Sequence, residues 1–79
     1  MLQIQKLKKE ELCTVYNTYM VCDFDKEELK PLGVLLRLLE NGLYACYGLF
    51  EDGTIQAYAC FAKDTASRFL LLDYYAVCS

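Results

Sequence analysis

Leu2 and Ile4 alternate with Gln3 and Gln5, the period of a half-buried strand at the outside of a sheet. The pattern then changes. Lys8 to Glu11 open a helix whose first turn carries Glu10 and Glu11, where negative charge suits the helix dipole. Leu12, Val15, Tyr16 and Tyr19 follow at i, i+3, i+4 and i+7, which predicts one apolar stripe facing a core. Val21 to Asp25 read as a connection. Asp25 and Glu28 have the spacing of a capping box, with Asp in place of Ser or Thr. Pro31 stands where a first helical turn tolerates proline. Leu32, Val34, Leu35, Leu36, Leu38 and Leu39 are apolar nearly all round, so this second helix is expected to be largely buried. Asn41-Gly42 stops it, glycine being suited to a left-handed residue.

Leu43 to Glu51 and Thr54 to Lys63 flank Asp52-Gly53, a two-residue turn signal that predicts a hairpin. The turn sets the expected register: Glu51 opposite Thr54, Phe50 opposite Ile55 and Tyr47 opposite Tyr58. Tyr44, Cys46, Gly48 and Phe50 then share a face with Ile55, Ala57, Ala59 and Phe61, while Ala45, Tyr47 and Leu49 join Gln56, Tyr58 and Cys60 on the other. Both faces are mostly apolar. After a polar loop from Asp64 to Arg68, Phe69 to Val77 form a last strand, apolar on both faces and interrupted by Asp73. Such a strand expects cover on both sides. The order β-α-α-β-β-β, with no linker or repeat, predicts an α+β domain with two helices packed on an antiparallel sheet.

A chain of 79 residues makes at most one small domain and buries only ~60% of the surface it could expose. Its net charge is −3 and its basic residues are scattered, so no face is expected to bind nucleic acid. The five cysteines include no C-x-x-C pair and there is no histidine, a spacing that offers no zinc site. No metal is expected, and the thiols read as small buried apolar groups in a reducing compartment. Met1 to Lys6 lack the apolar core of a signal peptide, and no stretch approaches the ~20 apolar residues of a membrane span. No membrane association is expected, and the expected location is the cytoplasm.

The ending Tyr75-Ala76-Val77, just after an in-strand acid, resembles the fourth strand of the GNAT family of N-acetyltransferases. The likeness extends to the segments from Asp25 to Leu32 and from Asn41 to Phe50, and spans nearly the whole chain. It covers only the N-terminal half of the family's domain, whose next element is a glycine-rich loop that opens a helix and holds the cofactor pyrophosphate. The resemblance implies acetyl-CoA as cosubstrate, an amine-bearing acceptor and direct attack of the amine on the thioester. It also implies that residues 1–79 form a single partial domain lacking the cofactor loop, inactive alone. The four glycines agree: Gly33, Gly42, Gly48 and Gly53 serve helix, helix stop, strand and turn, and none forms a phosphate cradle.

Asp73 is the candidate general base. Placed on a strand face with Leu71 and Tyr75, a carboxylate among apolar neighbours has its charged form disfavoured, and an acid titrating nearer neutrality suits proton abstraction. Its competing role is structural, accepting hydrogen bonds from backbone or tyrosine hydroxyls. The resemblance assigns the backbone of Tyr75, Ala76 and Val77 to the pantetheine arm, paired as an added strand would be; ordinary pairing with a following strand is the alternative. It also assigns Tyr19, Met20 and Phe24 to the acceptor pocket, against ordinary core packing with hydroxyls at the rim. Asp23 and Asp25 either attract a cationic amine there or form a solvated turn and a helix cap. The rival to an enzyme is a small non-catalytic interaction module that pairs through its exposed last strand, with its own copy or with a partner.

Overall fold

The computed structural model describes residues 1–63 and 70–78. The expected loop from Asp64 to Arg68, together with Phe69, lies outside the described residues. Strands β1 (Leu2–Lys6), β2 (Tyr44–Glu51), β3 (Thr54–Lys63) and β4 (Leu70–Val77) form one antiparallel sheet in the order β1-β2-β3-β4. Helices α1 (Lys9–Val15) and α3 (Leu32–Glu40) pack on one of its faces, giving the expected α+β architecture. The core between them holds Leu7, Leu12, Val15, Met20 and Leu35 against Tyr44, Cys46, Tyr58, Cys60 and Tyr74.

Helix α1 starts where the acidic turn predicts, and the Glu11 carboxylate accepts the Lys8 N–H at 2.9 Å. It does not stop near Val21 as expected. It widens into a π-helical turn, Tyr16–Met20, and continues through a short α-helical turn, α2 (Val21–Asp23), before Phe24 turns extended. A π turn holds one residue more than an α turn, so the stripe slips by one position. Leu12 and Val15 are buried as expected, but Met20 rather than Tyr19 completes the stripe, with Tyr16 and Tyr19 at its rim.

Asp25 and Glu28 make no helix cap. The Asp25 carbonyl accepts the N–H groups of Glu28 (3.0 Å) and Leu29 (2.9 Å), closing a separate turn. Helix α3 begins only at Leu32, with Pro31 as its N-cap in extended geometry, one position outside the first helical turn where the sequence placed it. The expectation of a largely buried helix also fails: Leu35 alone is fully buried, and Val34 is 43% exposed. One sheet face covers one side of a helix, and no second layer of described residues meets the other. The helix stop is as expected. Gly42 at φ +73° lets its N–H reach the Leu39 carbonyl (3.2 Å) while the Leu43 N–H reaches that of Leu38 (2.9 Å).

The hairpin turn has positive φ at Asp52 and Gly53, and Glu51–Thr54 and Phe50–Ile55 pair as expected. A bulge follows. Leu49 pairs with Ala57, leaving Gln56 as an extra residue, so Tyr47 faces Ala59 and not Tyr58. One extra residue exchanges the faces of everything beyond it. Tyr58 and Cys60 therefore join Tyr44, Cys46 and Gly48 under the helices, whereas Ala57, Ala59 and Phe61 turn outward with Tyr47 and Leu49. A second bulge lies in β4. Phe61 pairs with Leu72 and Cys60 with Tyr74, so Asp73 is the extra residue.

Strand β1 is an outer strand as expected, but its apolar positions point away from the core. Ile4 pairs with Leu49 on the outward face and is 76% exposed. That face carries Leu2, Ile4, Tyr47, Leu49, Phe61 and Tyr75 among its larger residues, and among the described residues no element covers it.

Candidate functional site at the latch of the last strand

Asp73 lies where three segments converge. Its bulge turns the carboxylate to the helix side, where both oxygens accept from the Lys30 ammonium (2.7 and 2.8 Å) and Oδ2 accepts the Tyr44 hydroxyl (2.8 Å). The expected apolar surroundings are thus replaced by a cation and a phenol, and the expected shared face with Tyr75 is lost. Tyr75 pairs with Ala59 on the opposite, uncovered side. The bulge causes both changes, because it breaks the alternation between residues 73 and 75.

Lys30 is fastened at more than its ammonium. Its N–H donates to the Tyr74 hydroxyl (2.9 Å), which donates in turn to the Glu28 carbonyl (2.9 Å). Its carbonyl accepts the Tyr16 hydroxyl at 2.7 Å. The ammonium also lies 5.2 Å from the Tyr74 ring centre, and Phe24 packs edge-on against that ring with centroids 4.9 Å apart. The connection from Phe24 to Pro31 is in this way latched onto β4. Burial pulls the Lys30 pKa down, but the hydrogen bond and charge of Asp73 outweigh it and leave the ammonium above its ordinary range. Burial, then the Asp73 hydrogen bond, pushes the Tyr44 hydroxyl well above its ordinary value.

A second link joins the helical end of the first segment to the sheet. The Tyr58 hydroxyl donates to Asp23 at 2.6 Å, and burial together with that bond raises its pKa. Asp23 itself stays exposed at the end of α2, so it keeps its expected solvent contact while accepting this bond.

Strand β4 is an edge of the described sheet. The Cys78 N–H donates to the Gln56 carbonyl at 2.7 Å. Antiparallel pairing repeats every second residue, so the backbone groups of Ala76 and Tyr74 also turn toward β3. Those of Tyr75 and Val77 turn to the open edge. Of the three residues the resemblance assigns to pantetheine, two present backbone groups without a partner among the described residues and Ala76 does not; its side chain packs against the core. The side chains of Tyr75 and Val77 stand 61% and 66% exposed.

The structure does not gather Tyr19, Met20 and Phe24 into one pocket. Met20 is fully buried in the core, and Phe24 lies against Tyr74. Tyr19 leans on Tyr58, with centroids 6.4 Å apart, and lines a cleft of about 410 Å³ between α1 and the β2–β3 turn, beside Glu11, Thr14, Thr18 and Thr54. Lys30, Tyr44 and Tyr74 escaped the sequence reading, because each reaches its partner across 29 to 46 residues of chain. The one local signal was the density of tyrosines at strand positions, since a buried hydroxyl needs a partner. Among the described residues no cluster of cysteine and carboxylate ligands is suited to a metal ion, and no helix is long and apolar enough to cross a membrane. Comparison with known proteins finds no family model, curated protein or solved structure that matches this chain.

Proposed function

We propose that the chain presents an acyl thioester along the open edge of β4, for transfer of an acetyl group from acetyl-CoA to an amine in the manner of the GNAT N-acetyltransferases. One observation carries the reading: the backbone groups of Tyr75 and Val77 turn to a free strand edge, just beyond a bulge that carries an acid. The pantetheine arm has amides that pair with such an edge as an added strand does. The amine would attack the thioester carbon, the thiolate would leave, and the amine would lose its proton. For Asp73 to take that proton, Lys30 must move off one carboxylate oxygen. Held as it is, the carboxylate latches the connection between α2 and α3. The cytoplasm, where five unpaired thiols stay reduced, suits this role.

Amide NMR on the folded chain tests the reading. Acetyl-CoA is expected to shift the Tyr75 and Val77 amide signals and to leave β1 alone. Affinity should be weak, since no glycine of this chain lies in a phosphate-cradling loop. Unmoved β4 amides at the highest soluble acetyl-CoA concentration would remove the proposal.

A second reading, a module that self-associates through β4, is favoured by the uncovered apolar face that continues onto that edge.

A further inference from the structure

Cys46 and Cys60 stand directly opposite each other in the two central strands, and both are fully buried. The Leu7 N–H donates to the Cys46 carbonyl at 2.7 Å, so the backbone of Cys46 turns toward β1 and away from β3. The Lys63 N–H donates to the Leu43 carbonyl at 2.8 Å, which sets the hydrogen-bonded pairs of β2 and β3 at odd positions. Both bonds make Cys46–Cys60 a pair without hydrogen bonds between its own backbones. The Cα atoms of such a pair are about 4.5 Å apart, inside the roughly 4.4–6.8 Å that a disulfide spans. Each thiol is the other's cross-strand neighbour in the core, below the Tyr44 hydroxyl that holds Asp73.

We propose that Cys46 and Cys60 are a reversible redox site, closed by a small peroxide into a disulfide across the central hairpin beneath the Asp73 latch. The Cys60 thiolate attacks one peroxide oxygen, forming a sulfenic acid as the O–O bond breaks and the second oxygen leaves as water after taking a proton. The Cys46 sulfur then attacks the Cys60 sulfur; the S–O bond breaks and a second water leaves with the Cys46 proton. Two thiols are oxidised and one peroxide is reduced. Cys60 is the attacking sulfur because the S–H of Cys46 stabilises its thiolate, against the opposing effect of burial. The neighbouring Cys60 sulfur and burial hold Cys46 well above the ordinary thiol range.

The test uses the folded 79-residue chain carrying Cys13→Ser, Cys22→Ser and Cys78→Ser, treated with hydrogen peroxide under native conditions. The expected result is loss of both remaining thiols, a mass lower by two hydrogens, a Cys46–Cys60 linked peptide and recovery with dithiothreitol. Two thiols that still titrate, sulfinic acid on either residue, or a link between chains would each overturn the proposal. Peptide mapping of the treated wild-type chain is the second measurement. A Cys46–Cys60 link supports the site, and links confined to Cys13, Cys22 or Cys78 count against it.

Discussion

At the residue scale, the tyrosines carry the long-range order of this small fold. Tyr44, Tyr58 and Tyr74 each bury a ring in the core and send a hydroxyl to a partner outside their own strand pair. Tyr44 and Tyr58 are held above the ordinary phenol value of 10.0, and Lys30 above 10.5. The folded chain therefore keeps protons that the unfolded chain releases. Their contribution to stability is complete below pH 10.0 and is lost as pH rises through the higher folded values. The melting temperature is expected to fall with pH above that point, and Tyr44→Phe or Tyr58→Phe should make the fall shallower. Ultraviolet titration should show Tyr44 and Tyr58 ionising only as the chain unfolds. Ionisation of all seven tyrosines together near pH 10.0, with the chain still folded, would contradict these assignments. That these positions were apolar and strand-forming was readable. The identities of Asp73, Asp23 and the Glu28 carbonyl as partners were not, because nothing local brings them near.

At the element scale, single extra residues decide which side chains are inside. The π turn after Val15 moves Met20 into the core, the Gln56 bulge does the same for Tyr58 and Cys60, and the Asp73 bulge turns an acid toward Lys30. Turn type and hairpin existence were legible from Asp52-Gly53, but plain alternation put Tyr58 and Cys60 on the wrong face. Deleting Gln56 should restore that alternation, turn both residues outward and abolish cooperative unfolding. A deletion variant with a sharp melt near that of wild type would show that the bulge does not set the faces. In α3, Leu35→Ala is expected to cost about 2–5 kcal/mol, whereas Val34→Ala should stay within about 0.5 kcal/mol. Denaturant titration distinguishes the two, and equal effects would mean that α3 packs on another face.

At the scale of the whole molecule, one layer of helices covers one sheet face, and the other face stays apolar from Ile4 in β1 to Val77 in β4. Burying that surface is favourable by roughly 25 cal/mol per Å², so the chain is expected to associate as its concentration rises. Sedimentation should show this, and the double variant Leu72→Lys, Tyr75→Lys should remain monomeric, with like charges set on the face. A wild-type chain that stays monomeric at every attainable concentration would count against the module reading. It would leave the acetyl-CoA test untouched, since that test reads the Tyr75 and Val77 amides alone.

The order of strands and helices, the glycine stops and the apolar character of both sheet faces follow from the sequence by itself, because period, turn chemistry and propensity act over a few neighbouring residues. The choice of face for Ile4, Tyr58 and Cys60, the burial of Met20 and the pairing of Lys30 with Asp73 were decided only when the strands met. Register, bulges and ion pairs depend on which distant backbone lies opposite, and that is a property of the assembled sheet.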